Sequence, residues 1–286
     1  KGSFDPNNRL NPGKIVSPSG DGVYSINEQF RSERNKEVPE PVRFRFQSIF
    51  DCNGNGQCLS LSPKGVMCPS MMVSNDIKQS PKGRSDLFRD WLRGNNTNKF
   101  QTEVFKAFET CLSCKGCTQT CPMSVNIPDA KSQFMMSYYL MNRRPLRDYV
   151  LVYSETVIPW ILKGFGGLSK ILINNSLIRL FARFLRLSDL PQVKQYSKFR
   201  VLNSEERTVT EIVNEARQDT VVLVQDTLTH VFEPELFLDA LDCLRKIGKD
   251  PKLLRVMDSG KAAHIKGFMG RFSDLAVKNQ ERFDTL

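Results

Sequence analysis

The apolar positions of this chain fall into two regimes. Through the middle they recur at helical spacing: Leu87, Phe88, Trp91 and Leu92 mark one amphipathic helix, and Val104, Phe105 and Phe108 mark a second over Thr102 to Thr110. Asn126-Ile127-Pro128-Asp129 opens a third, with proline in its first turn and Phe134, Met135, Tyr138 and Tyr139 as its stripe. From Thr220 the period changes. Thr220 to Gln225 reads as a short buried strand, Glu233-Pro234 opens a helix carrying Leu236, Phe237, Ala240, Leu241 and Leu244, Gly248 stops it, and Leu253 to Val256 reads as a second strand. Strand, helix and strand with short links predict a right-handed βαβ unit of a parallel sheet. Only two strands and a last helix, Ile265 to Arg282, are legible, so this α/β domain is expected to be incomplete at Leu286.

Other segments carry less period. Residues 14 to 45, with Pro18, Pro39 and Pro41, read as a linker holding one short helix around Ser25 to Asn35. Residues 146 to 190 are the most apolar, but Lys163, Lys170 and the Gly164 to Gly167 region interrupt every run of the ~20 apolar residues that a bilayer-spanning helix needs. Arg179, Arg183 and Arg186 form a basic stripe beside Ile178, Phe181, Ala182 and Leu185. Such a stripe suits an anionic membrane surface or an acidic partner; the favoured reading is a core helix with a charged solvent face. Phe4-Asp5-Pro6 and Leu10-Asn11-Pro12-Gly13-Lys14 are turn-rich and read as the tail of something already folded, so the chain is expected to be a fragment.

Composition narrows the classes. Hydrophobic residues at 40% and charged residues at 25% of 286 are ordinary for a globular protein and indicate neither a membrane-embedded nor a disordered chain. Forty-one Lys and Arg against 31 Asp and Glu give a net charge of +10, but the charge is scattered, and no nucleic-acid partner is expected.

The cysteines carry the chemistry. Seven of eight lie between Cys52 and Cys121, and Cys111, Cys114, Cys117 and Cys121-Pro122 have the C-x2-C-x2-C-x3-C-P spacing by which bacterial-type ferredoxins hold iron–sulfur clusters. Three thiolates three residues apart on a curled loop converge on one cluster, while the fourth, turned away by its proline, addresses another. One run therefore implies a second, found in altered form as Cys52, Asn55 and Cys58, with Cys68-Pro69 in the crossing position. The expected sets are Cys111, Cys114, Cys117 and Cys68 for a [4Fe–4S] cluster, and Cys52, Cys58 and Cys121 for a second [3Fe–4S] or [4Fe–4S] cluster. In the four-iron case the missing ligand would be Asn55, a neighbour or water.

Zinc suits the run less well, because three cysteines crowd seven residues and the only histidines, His230 and His264, lie far away in sequence. A disulfide framework belongs to smaller secreted chains. Cys243 and the two histidines have no partner motif and read as buried structural residues.

The clusters are thus flanked by helices, and the expected fold class is mainly α: a helical ferredoxin-like two-cluster module followed by an incomplete α/β (βαβ) domain. These pieces resemble the bacterial FAD-linked D-2-hydroxyacid dehydrogenases, of the D-2-hydroxyglutarate dehydrogenase type and related to glycolate oxidase and D-lactate dehydrogenase. The resemblance is carried by Phe4 to Lys14, Asp51 to Cys58, Met67-Cys68-Pro69-Ser70, Ser80-Pro81-Lys82-Gly83-Arg84 and Cys111 to Cys117, and more loosely by Gly260 to Phe268. It implies residues 1–20 as the tail of a flavin-linked oxidase domain, 21–45 as a linker, 46–145 as the iron–sulfur domain, 146–200 as an amphipathic helical connection, and 201–286 as the start of a cysteine-rich-type domain.

It further implies an oxidoreductase that is cytoplasmic or peripheral at the inner membrane. There FAD, in a domain of the same polypeptide, would take electrons from the hydroxyacid, and the clusters would pass them to an external acceptor. No catalytic residue of this chain matches the family's substrate or flavin sites, so the segment alone is expected not to be catalytic. The alternatives are a free-standing iron–sulfur electron-transfer subunit of a multi-chain enzyme and a metal-stabilised interaction module with no redox role.

Overall fold

A computed structural model describes residues 1–10, 38–60, 68–94, 97–165, 174–185, 187, 192–193 and 196–286. The expected helix around Ser25 to Asn35, Arg186 of the basic stripe and Met67 lie outside them. The chain divides into two compact units, Lys1–Lys131 and Ser132–Leu286. Helix dominates, with one small parallel sheet, as the apolar periods imply.

In the first unit the two helices expected between the cysteine runs form as Pro81–Leu92 and Asn98–Glu109. Each begins on a hydroxyl cap: Ser80 Oγ accepts from the Gly83 amide and Thr97 Oγ1 from that of Phe100. Phe88, Val104 and Phe108 are fully buried between them, with the Phe88 ring edge-on to Phe108 at 5.9 Å and to Phe46 at 5.0 Å. A shorter helix, Pro69–Ser74, starts directly after Cys68 on a first-turn proline and stops at left-handed Asn75.

Gly83 lets the helix Pro81–Leu92 lie against the turn before it, because a Cβ there would meet the Ile77 carbonyl oxygen at 2.1 Å. Gly83→Ala must push two backbones apart and is expected to destabilise the protein by about 1–3 kcal/mol, the usual range for overpacking. The check is a lower denaturant midpoint at unchanged slope; an unchanged midpoint would mean that this approach is not tight.

In the second unit three strands, β1 (Glu206–Arg207), β2 (Thr220–Leu223) and β3 (Asp250–Leu254), form a parallel sheet in the order β1-β3-β2. Two features correct the sequence reading. The last strand begins three residues before the expected Leu253, because Asp250 to Lys252 pair with Thr220 to Val222. β1, too short to show alternation, was not anticipated and pairs Glu206 with Leu253. The crossover from β2 to β3 contains two helices, Thr227–Phe232 and the expected Pro234–Lys246, whose Leu241 packs with Leu202 and Leu253.

The expected terminal helix forms as Met269–Asp284, four residues later than its expected start, after a separate short helix Lys261–Ile265. Gly267 between them has φ +73°, and a Cβ on it would lie 2.7 Å from the Met136 amide nitrogen.

His230 is a fully buried core residue, as expected. Its Nδ1–H donates to Gln225 Oε1 at 2.8 Å, and Gln225 Nε2 donates to Glu206 Oε1 at 2.8 Å. Burial pushes the imidazole down to about 4, and it is therefore neutral at ordinary pH.

The helix Ser176–Phe184 departs from the expected core helix. Only Ala182 is buried, while Leu177, Leu180, Phe181 and Phe184 are exposed: the apolar residues share one face opposite Arg179 and Arg183, and the described residues leave most of that face uncovered. No helix of the described residues is long and apolar enough to cross a membrane.

Candidate iron–sulfur site

The cysteine run begins where the helix Asn98–Glu109 ends. Cys111 is buried, its amide bonded to the Phe108 carbonyl, and two non-glycine residues in left-handed conformation, Ser113 (φ +54°) and Lys115 (φ +60°), curl the chain beyond it. Such residues cost roughly 1–2 kcal/mol each, and strain of this kind gathers at ligand-holding loops. The Ser113 amide points back at Cys111 Sγ, 3.4 Å away. Cys114 stands exposed at the loop's apex, and Cys117 is half-buried in the short helix Gly116–Thr120.

Cys68 comes from the start of the helix Pro69–Ser74. It and Met71 form a small buried cluster against which Cys58, Leu59 and Cys117 pack. The Cys117 thiol is pushed up to about 11, first by burial and then by the neighbouring thiols of Cys111 and Cys68, with a smaller contribution from Cys114. These four side chains, separated by as many as 49 positions along the sequence (Cys68 to Cys117), are electrostatic neighbours.

A second group lies alongside. Cys52, Cys58, Cys117 and Cys121 line one pocket, with about 450 Å³ of space open to solvent, which the Asn53 to Gln57 loop and Lys82 complete. Burial raises the Cys58 thiol, and Cys52 and Cys121 raise it further, while the Lys82 backbone amide hydrogen-bonds to it and opposes them. Gly54 (φ +73°) and Gly56 (φ +75°) turn the loop. Asn55, which stands where the intact run has a cysteine, uses its side-chain oxygen locally: it accepts from the Gln57 amide at 3.1 Å, as Asn53 Oδ1 does from the Asn55 amide.

Two cations missed by the sequence reading flank the first group. Arg84, 1% exposed, donates from Nη1 to Cys68 Sγ at 3.2 Å, from Nε to the Ala107 carbonyl at 2.7 Å and from Nη2 to Thr110 Oγ1 at 2.9 Å. Lys131, also buried, donates to the Cys111 carbonyl at 2.5 Å. Burial acts to raise the Cys68 thiol, but the Met71 amide and the Arg84 charge together hold it below the usual thiol range. The only signal in the sequence was the Ser80 to Arg84 motif, which announces a helix start without saying where its arginine points.

This chemistry fits an anionic, thiolate-bound cluster. A buried guanidinium whose hydrogen-bond partners are a carbonyl, a hydroxyl and a thiol pays an unrelieved desolvation cost unless that thiol becomes a thiolate. Among the described residues no three Cys, His, Asp or Glu side chains converge tightly enough to hold a metal ion. A cubane cluster does not ask for such convergence, since each thiolate binds its own iron at a different corner.

Cys243 is exposed, which corrects the expectation of a buried thiol: on the helix Pro234–Lys246 it lies two residues from buried Leu241, most of the way round to the solvent side. His264 lies in the second unit, its Nδ1 3.3 Å from Ser132 Oγ and its ring against Phe272.

Residues 48–125 match the model of the 4Fe-4S dicluster domain. Beyond that module, the chain is 32% identical to D-2-hydroxyglutarate dehydrogenase of Haemophilus influenzae, 31% to that of Pseudomonas putida and 30% to that of Escherichia coli, over 98%, 100% and 98% of its length. It spans about a third of each of these relatives, 31%, 33% and 32%. No solved structure matches it.

Proposed function

We propose that this chain, similar along nearly its whole length to a third of each of three bacterial D-2-hydroxyglutarate dehydrogenases, is the electron-transfer segment of a flavin-dependent D-2-hydroxyacid dehydrogenase, with D-2-hydroxyglutarate as the substrate. The observation that carries the reading is the gathering of seven cysteines into two neighbouring groups inside a dicluster-type module. Cys68, Cys111, Cys114 and Cys117 would hold a [4Fe–4S] cluster, and Cys52, Cys58 and Cys121 a second cluster of three or four irons. Clusters of this kind accept and release single electrons at potentials set by hydrogen bonds to sulfur, charge and exposure.

The residues of this chain do the rest. The left-handed turns at Ser113 and Lys115 would aim three thiolates at one centre, the Cys68 and Cys121 side chains would cross between the two runs, and Met71 and Leu59 pack against Cys68. FAD and the hydroxyacid site belong to other parts of the polypeptide, and the acceptor is external. Free thiols and oxygen-sensitive clusters suit a reducing compartment, the cytoplasm, with contact at the inner membrane confined to its surface.

Anaerobic reconstitution tests the reading. The visible absorption of the iron-loaded chain should bleach with dithionite and not with D-2-hydroxyglutarate, whereas full-length protein carrying FAD should bleach with both. A chain whose spectrum dithionite leaves unchanged has no redox role, and full-length protein indifferent to the hydroxyacid is not this dehydrogenase. A full-length gene product that carries no FAD-binding portion, together with bleaching by dithionite, would favour the free-standing subunit.

A further inference from the structure

We infer that Arg84 sets the reduction potential of the cluster on Cys68 and thereby separates it from the cluster beside it; this rests on Cys68 being a ligand, as proposed above. The helix Pro81–Leu92 touches both cysteine groups within one turn: the Lys82 backbone amide meets Cys58, and two residues later the Arg84 guanidinium meets Cys68. The two contacts differ in kind. An amide offers the second group a fixed dipole, and the Lys82 ammonium beside that pocket is paired with Asp86. Arg84 instead brings to the first group a positive charge hydrogen-bonded to a carbonyl, a hydroxyl and a sulfur and not to a carboxylate, 3.2 Å from that sulfur and 1% exposed, so solvent screens it little.

The charge is also held still. Two further hydrogen bonds fix the guanidinium to Ala107 and Thr110, and Thr110 is itself tied down, its hydroxyl donating to the Ala107 carbonyl at 3.1 Å and its carbonyl accepting from Ser70 Oγ at 2.6 Å. Adding an electron makes a cluster more negative, so a fixed neighbouring cation stabilises the reduced form and raises the potential. Arg84 touches a ligand and not the reacting irons, and is therefore a positioning residue.

The test is a potentiometric titration followed by electron paramagnetic resonance on anaerobically reconstituted parent, Arg84→Gln and Arg84→Lys, with iron counted in each. The signal that Cys68→Ser abolishes identifies the cluster concerned. In Arg84→Gln that signal's reduction equilibrium should move about tenfold against reduction, about 59 mV for a one-electron couple, while the other signal keeps its potential. Arg84→Lys, which keeps charge and loses the fork, should move the same cluster in the same direction by less. If the Gln variant takes up no iron, Arg84→Lys decides alone, and a potential equal to the parent's overturns the inference. Equal potentials in all three proteins, or equal shifts in both signals, overturn the role of Arg84 and leave the two-cluster reading standing. A parent protein that binds no iron overturns that reading instead.

Discussion

Replacing Cys114 by Ser is expected to cost the protein a whole [4Fe–4S] cluster, about half of its iron, whereas replacing Cys243 by Ser should leave the iron content unchanged. The two thiols are alike in being exposed, so exposure does not separate them. What separates them is setting. Cys114 sits between two residues in left-handed conformation, Ser113 and Lys115, on a loop that also presents Cys111 and Cys117, while Cys243 is exposed on a helix with no other cysteine within a hundred positions in sequence. Serine is a poor ligand for cluster iron, and because binding and folding are coupled, the curled loop should loosen as well. Iron and sulfide counts with limited proteolysis of both variants check this. Iron lost from the Cys243 variant and kept in the Cys114 variant would mean that the ligands are wrongly assigned.

The second large effect is a gain. Asn55→Cys is expected to let the second site hold a full [4Fe–4S] cluster, because the new thiol falls three residues from both Cys52 and Cys58, restoring the spacing of the intact run. The substitution also removes the side-chain oxygen that holds the Gln57 amide, which should cost about 1 kcal/mol of local order. Gly54 and Gly56 keep the loop able to turn without it. A three-iron resonance in the oxidised parent, lost in the variant, is the expected result. Identical four-iron signals in both would mean that another group already completes the site, and iron for one cluster in both would mean that the upstream run forms no site.

Elements with strong local signals were legible in the sequence. The helices Pro81–Leu92, Asn98–Glu109, Ile127–Met141 and Pro234–Lys246 follow from apolar stripes and caps, and the nearness of Cys68 to Cys117 agrees with the crossing expected from the proline after Cys68. What escaped depends on partners remote in sequence. β1 is two residues long and exists only because β3 pairs with it, and the start of β3 is set by Thr220 to Val222. Arg84 reads as an ordinary helix-surface charge until Cys68 and Ala107, 16 and 23 positions away, close over it. Cys243 was misplaced by its apolar neighbours Leu241 and Leu244: two residues along a helix is about 200° of turn, so a cysteine beside buried Leu241 in sequence faces away from it in space.

The most direct test of two crossed clusters is the iron and acid-labile sulfide content of the anaerobically reconstituted chain, with electron paramagnetic resonance in the oxidised and dithionite-reduced states. The account predicts about seven or eight irons per chain, nearly matched by sulfide, and two signals, one of which disappears in Cys68→Ser. About one metal per chain without sulfide, or a single cluster indifferent to Cys68, would contradict it.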